Sequence, residues 1–322
     1  MKILITGCAG FLGYHLSKAL LLNKNNQIIG VDNLNDYYSV KLKIKRLNIL
    51  KKKKRFHFQK IDISNYQKLE KIFKRKKIDF IINLAAQAGV RYSIDNPRAY
   101  INSNILGFFN LAELSRIYKI KKIFYASSSS VYGEKKIFPL SEKQNINPKN
   151  IYSLSKKSNE EIAEIFSNYY KIEFIGLRLF TIYGEWGRPD MLIIKYIIAA
   201  IKKNKFYLNN FGNHFRDFTY VDDVVENILI LTKKKFKNRH TILNICSNNP
   251  ISLKLVLKDL NKAFGKPNVI KRPKQLADVY KTHGSNKKLI DITQYKDFTD
   301  IKVGLSYVIK WAKKNIKFLK KI

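Results

Sequence analysis

The length, composition and charge of the chain set the first limits on what it can be. Its 322 residues exceed the roughly 250–300 at which a single hydrophobic core stops growing, so we expect one large domain with a smaller lobe. The chain is 45% hydrophobic and 27% charged, a globular composition that excludes a disordered or fibrous protein. No apolar run reaches the roughly 18 residues of a membrane-spanning helix, so we expect no membrane insertion. Its two cysteines, Cys8 and Cys246, exclude a disulfide framework and favour a reducing, cytoplasmic compartment.

The charge is the unusual feature, because 62 lysines and arginines stand against 24 acidic residues, a formal net charge of +38. Such a balance can indicate a nucleic-acid or anionic-membrane partner. The basic residues are spread along the chain, however, and the densest run, Lys51 to Arg55, contains no aromatic residue. We interpret this run as a solvated surface and expect no specific nucleic-acid partner. A basic field still attracts an anionic small substrate.

Short apolar strands alternate with helical segments up to residue 180. In chain order, the pattern predicts strand 2–7, helix 11–23, strand 27–32, a helix within 39–50, strand 56–62, helix 66–73, strand 79–85, a long helix, strand 121–128, helix 151–170 and strand 173–180. The strands are continuously apolar, as strands buried on both faces are. The alternation predicts an α/β fold, a doubly wound parallel sheet.

After Phe180 the alternation loosens and turn-rich segments appear. A helix at 221–231 and a strand at 242–246 are predicted to return to the main sheet. We therefore expect a large domain over residues 1–180 and about 217–247, and a smaller lobe over residues 181–216 and 248–322.

Three glycines, Gly7, Gly10 and Gly13, lie between the first strand and the first helix with GxxGxxG spacing. The first permits a tight turn, the second lets the backbone approach a pyrophosphate, and the third lets helix and strand pack closely. The helix N-terminus offers free N–H groups and a positive dipole end to the phosphates. The motif alone is a weak signal, but its strand-turn-helix context predicts that the large domain is a dinucleotide-binding Rossmann domain.

Two aspartates follow at the ends of the next strands. Asp32 ends the second strand, where a carboxylate hydrogen-bonds a ribose 2′-OH and repels a 2′-phosphate, so NAD is favoured over NADP. Asp62 ends the third strand, where it can meet the adenine or cap a turn, and the sequence leaves both interpretations open.

A second group of residues indicates a catalytic site. Tyr152 and Lys156 are four residues apart at the start of a helix and share one face. A neighbouring cation lowers the pKa of a phenol, so Tyr152 can act as a general base near neutral pH. Four serines, Ser127 to Ser130, end the fifth strand at the sheet edge where open α/β sheets bind ligands. The serines alone could simply form a turn. Their occurrence together with the Tyr152–Lys156 pair and the glycine turn favours a catalytic role.

Longer motifs carry a family resemblance. They are VDNLNDYY (31–38), LAAQAGVRYS (84–93), SSSSVYG (127–133), RLFTIYG (178–184), GRPDM (187–191) and RDFTYVDD (216–223). In these motifs the chain resembles the extended short-chain dehydrogenases/reductases, in the group of NAD-dependent nucleotide-sugar epimerases. The resemblance is strong up to about residue 235 and weak in the tail. It implies NAD as the cofactor and epimerisation at C4 of a UDP-sugar through a 4-keto intermediate. The motifs AAQAGVRYS and GRPDM imply UDP-glucuronate as the substrate and UDP-galacturonate as the product.

The resemblance also implies roles for individual residues. Tyr152 is the expected base, Lys156 its partner at the nicotinamide ribose, and Ser128 the catalytic hydroxyl, supported by Ser129 and Ser130. Arg188 and Thr181 line the pocket of the sugar carboxylate, with Arg188 binding it. The other implied contacts are Gly7, Gly10, Phe11, Leu12, Gly13, Asp32, Asn33, Asp62, Ile63, Leu84, Ala85 and Ala86 with NAD, and Arg91, Arg216 and Asp278 with the substrate, the two arginines near its diphosphate.

Two departures from the family pattern refine these expectations. Ser130 stands where related dehydratases and decarboxylases carry an acid before the VYG triplet, which favours simple epimerisation. Residues 277–285 read ADVYKTHGS where relatives carry GDVP and then Tyr-Ala-Asp, so Asp278 is the remaining candidate for a ribose contact there. No metal site is expected, because the histidines show no ligand spacing. A homodimer through helices 98–118 and 151–170 is a further expectation from the family.

Two alternatives stay open at this point. One is a UDP-glucose or UDP-N-acetylhexosamine 4-epimerase, which has no sugar carboxylate for Arg188 to bind. The other is a Rossmann-fold binding protein without activity, against which the intact Tyr152, Lys156 and serine run argue.

Overall fold

The computed structural model describes residues 1–275 and 278–322. Its strands are β1 (Lys2–Thr6), β2 (Gln27–Asp32), β3 (Phe56–Lys60), β4 (Phe80–Asn83), β5 (Lys122–Ser128), β6 (Glu173–Leu179), β7 (Thr181–Tyr183), β8 (Lys205–Asn209), β9 (Phe215–Tyr220), β10 (His240–Ile245), β11 (Pro250–Ser252) and β12 (Asn268–Arg272). Seven of them form one parallel sheet in the order β10-β6-β5-β4-β1-β2-β3. The chain moves outward from β1 to β3 and then resumes with β4 on the other side of β1. This order confirms the predicted doubly wound α/β sheet.

Helices cover both faces of this sheet. The α-helices of the described residues are α1 (Phe11–Leu20), α2 (Val40–Lys51), α3 (Tyr66–Arg75), α4 (Tyr92–Asp95), α5 (Pro97–Tyr100), α6 (Gly107–Ile117), α7 (Ile151–Tyr170), α8 (Leu192–Lys202), α9 (Val221–Lys233), α10 (Leu253–Phe264), α11 (Lys287–Thr293), α12 (Ile301–Lys314) and α13 (Ile316–Leu319). Alternate strand residues face opposite layers. In β1, Ile3 and Ile5 belong to the core formed with α1, α2 and α9, and Leu4 belongs to the core formed with α3, α6 and α7. Burial on both faces explains why the strands are apolar throughout.

The predicted long helix between β4 and β5 is confirmed. It runs continuously from Pro97 to Ile117 as α5, a wide π-helical turn at Ile101–Leu106 and α6, and the short helix α4 precedes it. Pro97 begins α5, where its missing N–H separates this helix from α4. The predicted ends of β1 and α1 are too late. β1 stops at Thr6 because Gly7 has a positive φ of 71°, and α1 ends at Leu20 rather than at residue 23.

The second half of the chain adds two small sheets. β7, β9 and β11 form one, and β8 pairs with β12 in the other. β10 pairs with β6 in the central sheet, as predicted. Strand β9 runs across the predicted domain boundary at residues 216–217 and ends directly before α9. Of the helices in the described ranges, none has the length and apolar character needed to cross a bilayer.

Candidate active site

A cleft of about 600 Å³ opens at the carboxyl ends of the central strands. It lies where β1 separates β2 from β4, the point at which ligands of such sheets bind. All the site residues predicted from the sequence line this cleft: Gly7, Gly10, Phe11, Leu12, Gly13, Asp32, Asn33, Asp62, Ile63, Leu84, Ala85, Ala86, Arg91, Ser128, Ser129, Ser130, Tyr152, Lys156, Thr181, Arg188, Arg216 and Asp278. The structure thus brings together three groups of residues that are far apart in the sequence. Their individual roles stay predictions.

The glycine turn packs too closely against the backbone to accept side chains at two of its positions. A Cβ atom on Gly7 would lie 2.7 Å from the backbone of Leu84 and Ala85, and one on Gly13 would strike the Gly7 carbonyl. Gly10 stands at the N-cap of α1 without a side chain that could satisfy the N–H groups of the first turn. These N–H groups and the dipole of α1 suit the phosphates of a dinucleotide, so the turn fits NAD.

Asp32 lies beside this turn and is 7% exposed. Its carboxylate accepts hydrogen bonds from the N–H groups of Ala9, at 3.1 Å, and Leu34, at 2.8 Å. Burial raises the pKa of Asp32, and these bonds and the ammonium of Lys43 offset part of the rise. The buried Lys43 also lines the cleft and donates to the carbonyl of Asn35 at 2.6 Å. The sequence analysis missed this lysine, because in a chain so rich in lysine its position in the sequence carries no distinguishing signal.

Asp62 caps a turn, which was one of its two predicted roles. Its Oδ1 accepts from the N–H of Ser64 at 2.9 Å, and its Oδ2 accepts from Asn33 Nδ2 at 2.7 Å. Burial raises the pKa of Asp62, but the hydrogen bonds from Ser64 and Asn33 outweigh this effect and leave it lowered. The second role, a contact with the adenine, stays a prediction.

A capping box begins the helix that carries Tyr152 and Lys156, the predicted catalytic pair. Asn150 Oδ1 accepts from the N–H of Ser153 at 2.9 Å, and Ser153 Oγ accepts from the N–H of Asn150 at 3.2 Å. This cap begins α7 so that Tyr152 and Lys156 lie on one face of its first turns. Lys156 is 3% exposed, donates to the Ala126 carbonyl at 2.8 Å, and has its pKa lowered by burial to about 8.

The four serines divide into two roles. Ser127 Oγ donates to Glu160 at 2.6 Å, and Glu160 forms a buried two-bond ion pair with Arg178 at 2.8 and 2.9 Å. Ser128 Oγ instead accepts from the N–H of Ser130 at 3.2 Å and lies 2.8 Å from the Ser130 hydroxyl. The acceptor side of Ser128 is therefore occupied, which leaves its proton for a substrate oxygen in the cleft.

Asn104, on the π-helical turn, is a further residue that the sequence analysis missed. Its side chain donates to the Gln87 carbonyl at 3.0 Å and to Ser155 Oγ at 2.9 Å, and accepts from the N–H of Gln87 at 2.7 Å. It joins the loop after β4 to the helix that carries Tyr152. No local pattern predicts this role, because its two partners are 17 and 51 residues away.

Arg188 forms an ion pair within its own loop. Its Nε and Nη2 atoms donate to the two carboxylate oxygens of Asp190, at 3.0 and 2.5 Å. Burial lowers the pKa of Arg188 but the adjacent Asp190 raises it overall, so the guanidinium stays charged. Tyr37 donates to Asp190 at 3.2 Å, and its ring lies 5.8 Å from the guanidinium carbon of Arg188. Neither Asp190 nor Tyr37 was among the predicted site residues.

Three predicted substrate residues meet at the other end of the cleft. Arg91 pairs with Asp278 at 2.6 Å, and the amide of Asn209 lies within hydrogen-bond distance of Arg91. Arg216 donates to the carbonyls of Val279, at 2.9 Å, and Phe215, at 2.8 Å. Burial lowers the pKa of Arg216 to about 10. The predicted segment 277–285 is described from Asp278 onward, and Ala277 lies outside the described residues.

A glycine turn for a dinucleotide, a Tyr-Lys pair and hydroxyls at the sheet edge, gathered in one cleft, are typical of a Rossmann-fold enzyme of the short-chain dehydrogenase type. The profile of the NAD dependent epimerase/dehydratase family matches residues 3–246, and the chain belongs to this family. The predicted family and its cofactor, NAD, are thereby confirmed.

Similar proteins match the chain along almost its whole length. It is 42% identical to Protein CapI of Staphylococcus aureus, over 97% of this chain and 98% of that protein. It is 36% identical to the UDP-glucuronate 4-epimerase of Thermodesulfobacterium geofontis, over 99% of this chain and 98% of that enzyme. Its fold superposes on the crystal structure of the UDP-glucuronic acid 4-epimerase of Bacillus cereus in complex with UDP-glucuronic acid and NAD, with a TM-score of 0.92, 30% identity and coverage of 98% and 99% of the two chains.

Proposed function

We propose that this protein interconverts UDP-glucuronate and UDP-galacturonate by epimerisation at C4. The observation that carries the proposal is one cleft that joins the Tyr152–Lys156 pair and Ser128 to a half-buried guanidinium, Arg188. The first group suits oxidation of a sugar hydroxyl, and the guanidinium suits a sugar carboxylate. The likeness to two enzymes named for the same reaction supports this assignment.

The residues of the chain then have distinct tasks. NAD, when bound, supplies a reversible hydride acceptor for C4 of the sugar. Tyr152 takes the proton of the 4-hydroxyl and later returns it, and the ammonium of Lys156 favours the ionised phenol. Ser128 donates a hydrogen bond to the 4-oxygen. Because the hydride returns to the opposite face of C4, the 4-keto sugar must turn within the cleft before the second half of the reaction.

Arg188 can protect the oxidised sugar from decarboxylation. Oxidation at C4 makes a uronate into a β-keto acid, which loses CO₂ readily when its C–CO₂ bond overlaps the ketone π-system. A guanidinium forked onto both carboxylate oxygens fixes their plane as well as their charge. We infer that Arg188 binds the carboxylate and keeps this bond away from the overlap while the ring turns.

Arg91, Arg216 and Asp278 form the proposed diphosphate and ribose end of the site. Two guanidinium groups beside one carboxylate leave an excess positive charge that suits a diphosphate. Arg216 is held by backbone carbonyls, so its position is set before the substrate arrives.

The central test is incubation of the purified protein with UDP-glucuronate, UDP-glucose and UDP-N-acetylglucosamine, followed by product analysis. We expect UDP-galacturonate from the first and little conversion of the other two. Preference for UDP-glucose would refute the uronate assignment and favour a hexose epimerase.

Arg188→Ala tests the same assignment at one residue. Loss of a charge-assisted hydrogen bond costs about 1.5–3 kcal/mol, or roughly 10–100-fold in kcat/KM for UDP-glucuronate. The residual turnover should release a larger share of decarboxylated UDP-pentose. Arg75→Ala, which removes an equal charge at the exposed end of α3, is the matched control and should change neither quantity. An unaffected glucuronate reaction in Arg188→Ala would contradict the proposal.

We also propose that the enzyme works as a cytoplasmic homodimer through the surface of α6 and α7. Apolar side chains of these helices lie open to solvent, with Phe109 43% and Ile165 53% exposed. Patches of this kind mark protein interfaces. Light scattering of Phe109→Glu tests the proposal against Leu22→Glu, a change at a residue that is 79% exposed in the turn after α1. Only the first variant should dissociate, and a monomeric unmodified protein would refute the dimer.

A further inference from the structure

We propose that Asp190 and Tyr37 are positioning residues that hold Arg188 so that one edge of its guanidinium remains available for the sugar carboxylate. The inference rests on the proposed function, because it concerns how the same cleft handles a uronate. It assigns a task to the aspartate of the GRPDM segment and to a tyrosine that comes more than a hundred residues earlier in the sequence.

The geometry separates the two edges of the guanidinium. Asp190 occupies the side edge, where it accepts from Nε at 3.0 Å and from Nη2 at 2.5 Å. Among the described residues, Nη1 has no hydrogen-bond partner. The edge formed by Nη1 and the second proton of Nη2 is therefore free to fork onto another carboxylate. Arg188 can thus hold Asp190 and a substrate carboxylate at the same time.

Tyr37 braces this arrangement from one side. Its hydroxyl donates to Asp190 Oδ2 at 3.2 Å, and its ring lies within cation–π distance of the Arg188 guanidinium. Burial and the neighbouring Asp190 raise the pKa of Tyr37 to about 12, so the hydroxyl keeps the proton that it donates. Gly89 makes room for it, because a Cβ atom there would strike the Tyr37 hydroxyl.

The backbone before Arg188 is held independently of Asp190. Arg46, which is fully buried, donates to the carbonyls of Trp186 and Gly187 and to that of Ala9 in the glycine turn. Substitution of Asp190 should therefore release the side chain of Arg188 and leave the loop in place. The reaction must keep the C–CO₂ bond of the sugar out of overlap with its ketone. A misoriented Arg188 side chain should therefore harm the reaction more than weaker binding of the carboxylate would.

Asp190→Asn tests the proposal by separating kcat from KM. The change leaves the charge of Arg188 uncompensated, so KM for UDP-glucuronate should not rise. Misplacement of a substrate-positioning group by about 1 Å can lower a rate 10²-fold. Since Asp190→Asn releases the Arg188 guanidinium, we expect kcat to fall by roughly 10–100-fold. The share of UDP-pentose among the products should rise at least several-fold. Asp36→Asn removes an equal charge from an exposed position on the same loop as Tyr37 and should change none of these values.

Tyr37→Phe is the second variant, because it alters no charge and removes a single hydroxyl. It should raise the UDP-pentose share in the same direction, with a smaller loss of kcat. If Asp190→Asn increased kcat/KM without extra UDP-pentose, Asp190 would be a competitor for Arg188, and the positioning role would be refuted. Unchanged product ratios in both variants would refute it as well. Failure of the unmodified protein to epimerise UDP-glucuronate would instead refute the proposed function itself.

Discussion

Replacement of Lys156 by methionine should make the protein more stable while it removes activity. Lys156 is 3% exposed, and among the described residues its ammonium makes one hydrogen bond, to the Ala126 carbonyl, and no ion pair. A buried cation without an anionic partner destabilises the fold. Methionine has a similar length and no charge, so it should fill the same space without that cost.

The size of the effect follows from the lowered pKa. Burial takes the pKa of Lys156 from 10.5 to about 8. At about 1.4 kcal/mol for each pKa unit, the charged form costs about 3 kcal/mol in the folded state. The lost hydrogen bond to Ala126 offsets roughly 1 kcal/mol of this. The methionine variant should therefore be about 2 kcal/mol more stable at pH 7.

The stability difference between the two proteins should depend on pH. Below pH 8 the folded and unfolded states both carry the proton, and the full cost applies. Between about pH 8 and pH 10.5 the folded lysine is neutral while the unfolded lysine is still charged, so the cost shrinks as the pH rises. The advantage of the Lys156→Met protein should accordingly be largest at neutral pH and vanish near pH 10, where the remaining cost equals the lost hydrogen bond.

Urea unfolding of the NAD-free protein at several pH values measures this difference. Lys157→Met is the matched control, since this neighbouring lysine is partly exposed and pairs with the exposed Glu161. Its effect should stay within about 0.5 kcal/mol. A Lys156→Met protein less stable than the unmodified protein at pH 7, or an advantage that persists at pH 10.5, would refute the reasoning.

Three further predictions concern the rest of the site. Tyr152→Phe should lower epimerisation by roughly 10²–10⁴-fold while NAD stays bound, and near-normal turnover would mean that another group takes the proton. Glu160→Gln leaves the buried Arg178 without its anionic partner and should reduce the free energy of unfolding by about 3–5 kcal/mol; a loss below 1 kcal/mol, measured by urea unfolding, would contradict the importance of this pair. Asp32→Asn should weaken the preference for NAD over NADP by roughly 10–100-fold, measured as the ratio of the two dissociation constants, and an unchanged ratio would show that Asp32 does not select the cofactor.

The nucleotide half of the site could be predicted from the sequence. Gly7 and Gly13 are required by contacts that the strand-turn-helix unit makes with itself and with the next strand, and such units have nearly the same geometry wherever they occur. Tyr152 and Lys156 could be predicted for a similar reason, because a helix places residues four apart on one face whatever surrounds it. The parallel sheet followed from continuously apolar strands that alternate with helices.

The environment of each side chain was decided by the tertiary structure alone. Arg188 was predicted as a carboxylate-binding residue, but the hydrogen bond from Tyr37 to its partner Asp190 and the bond from Arg46 of α2 to the loop before it join segments more than a hundred residues apart. Asn104 lies on the π-helical turn within the predicted long helix and bonds to Gln87 and Ser155, which belong to other elements of the fold. The physical reason is the same in both cases. Hydrogen bonds between residues distant in the sequence depend on how whole elements pack, whereas turns, caps and helical faces are set by the covalent chain within a few residues.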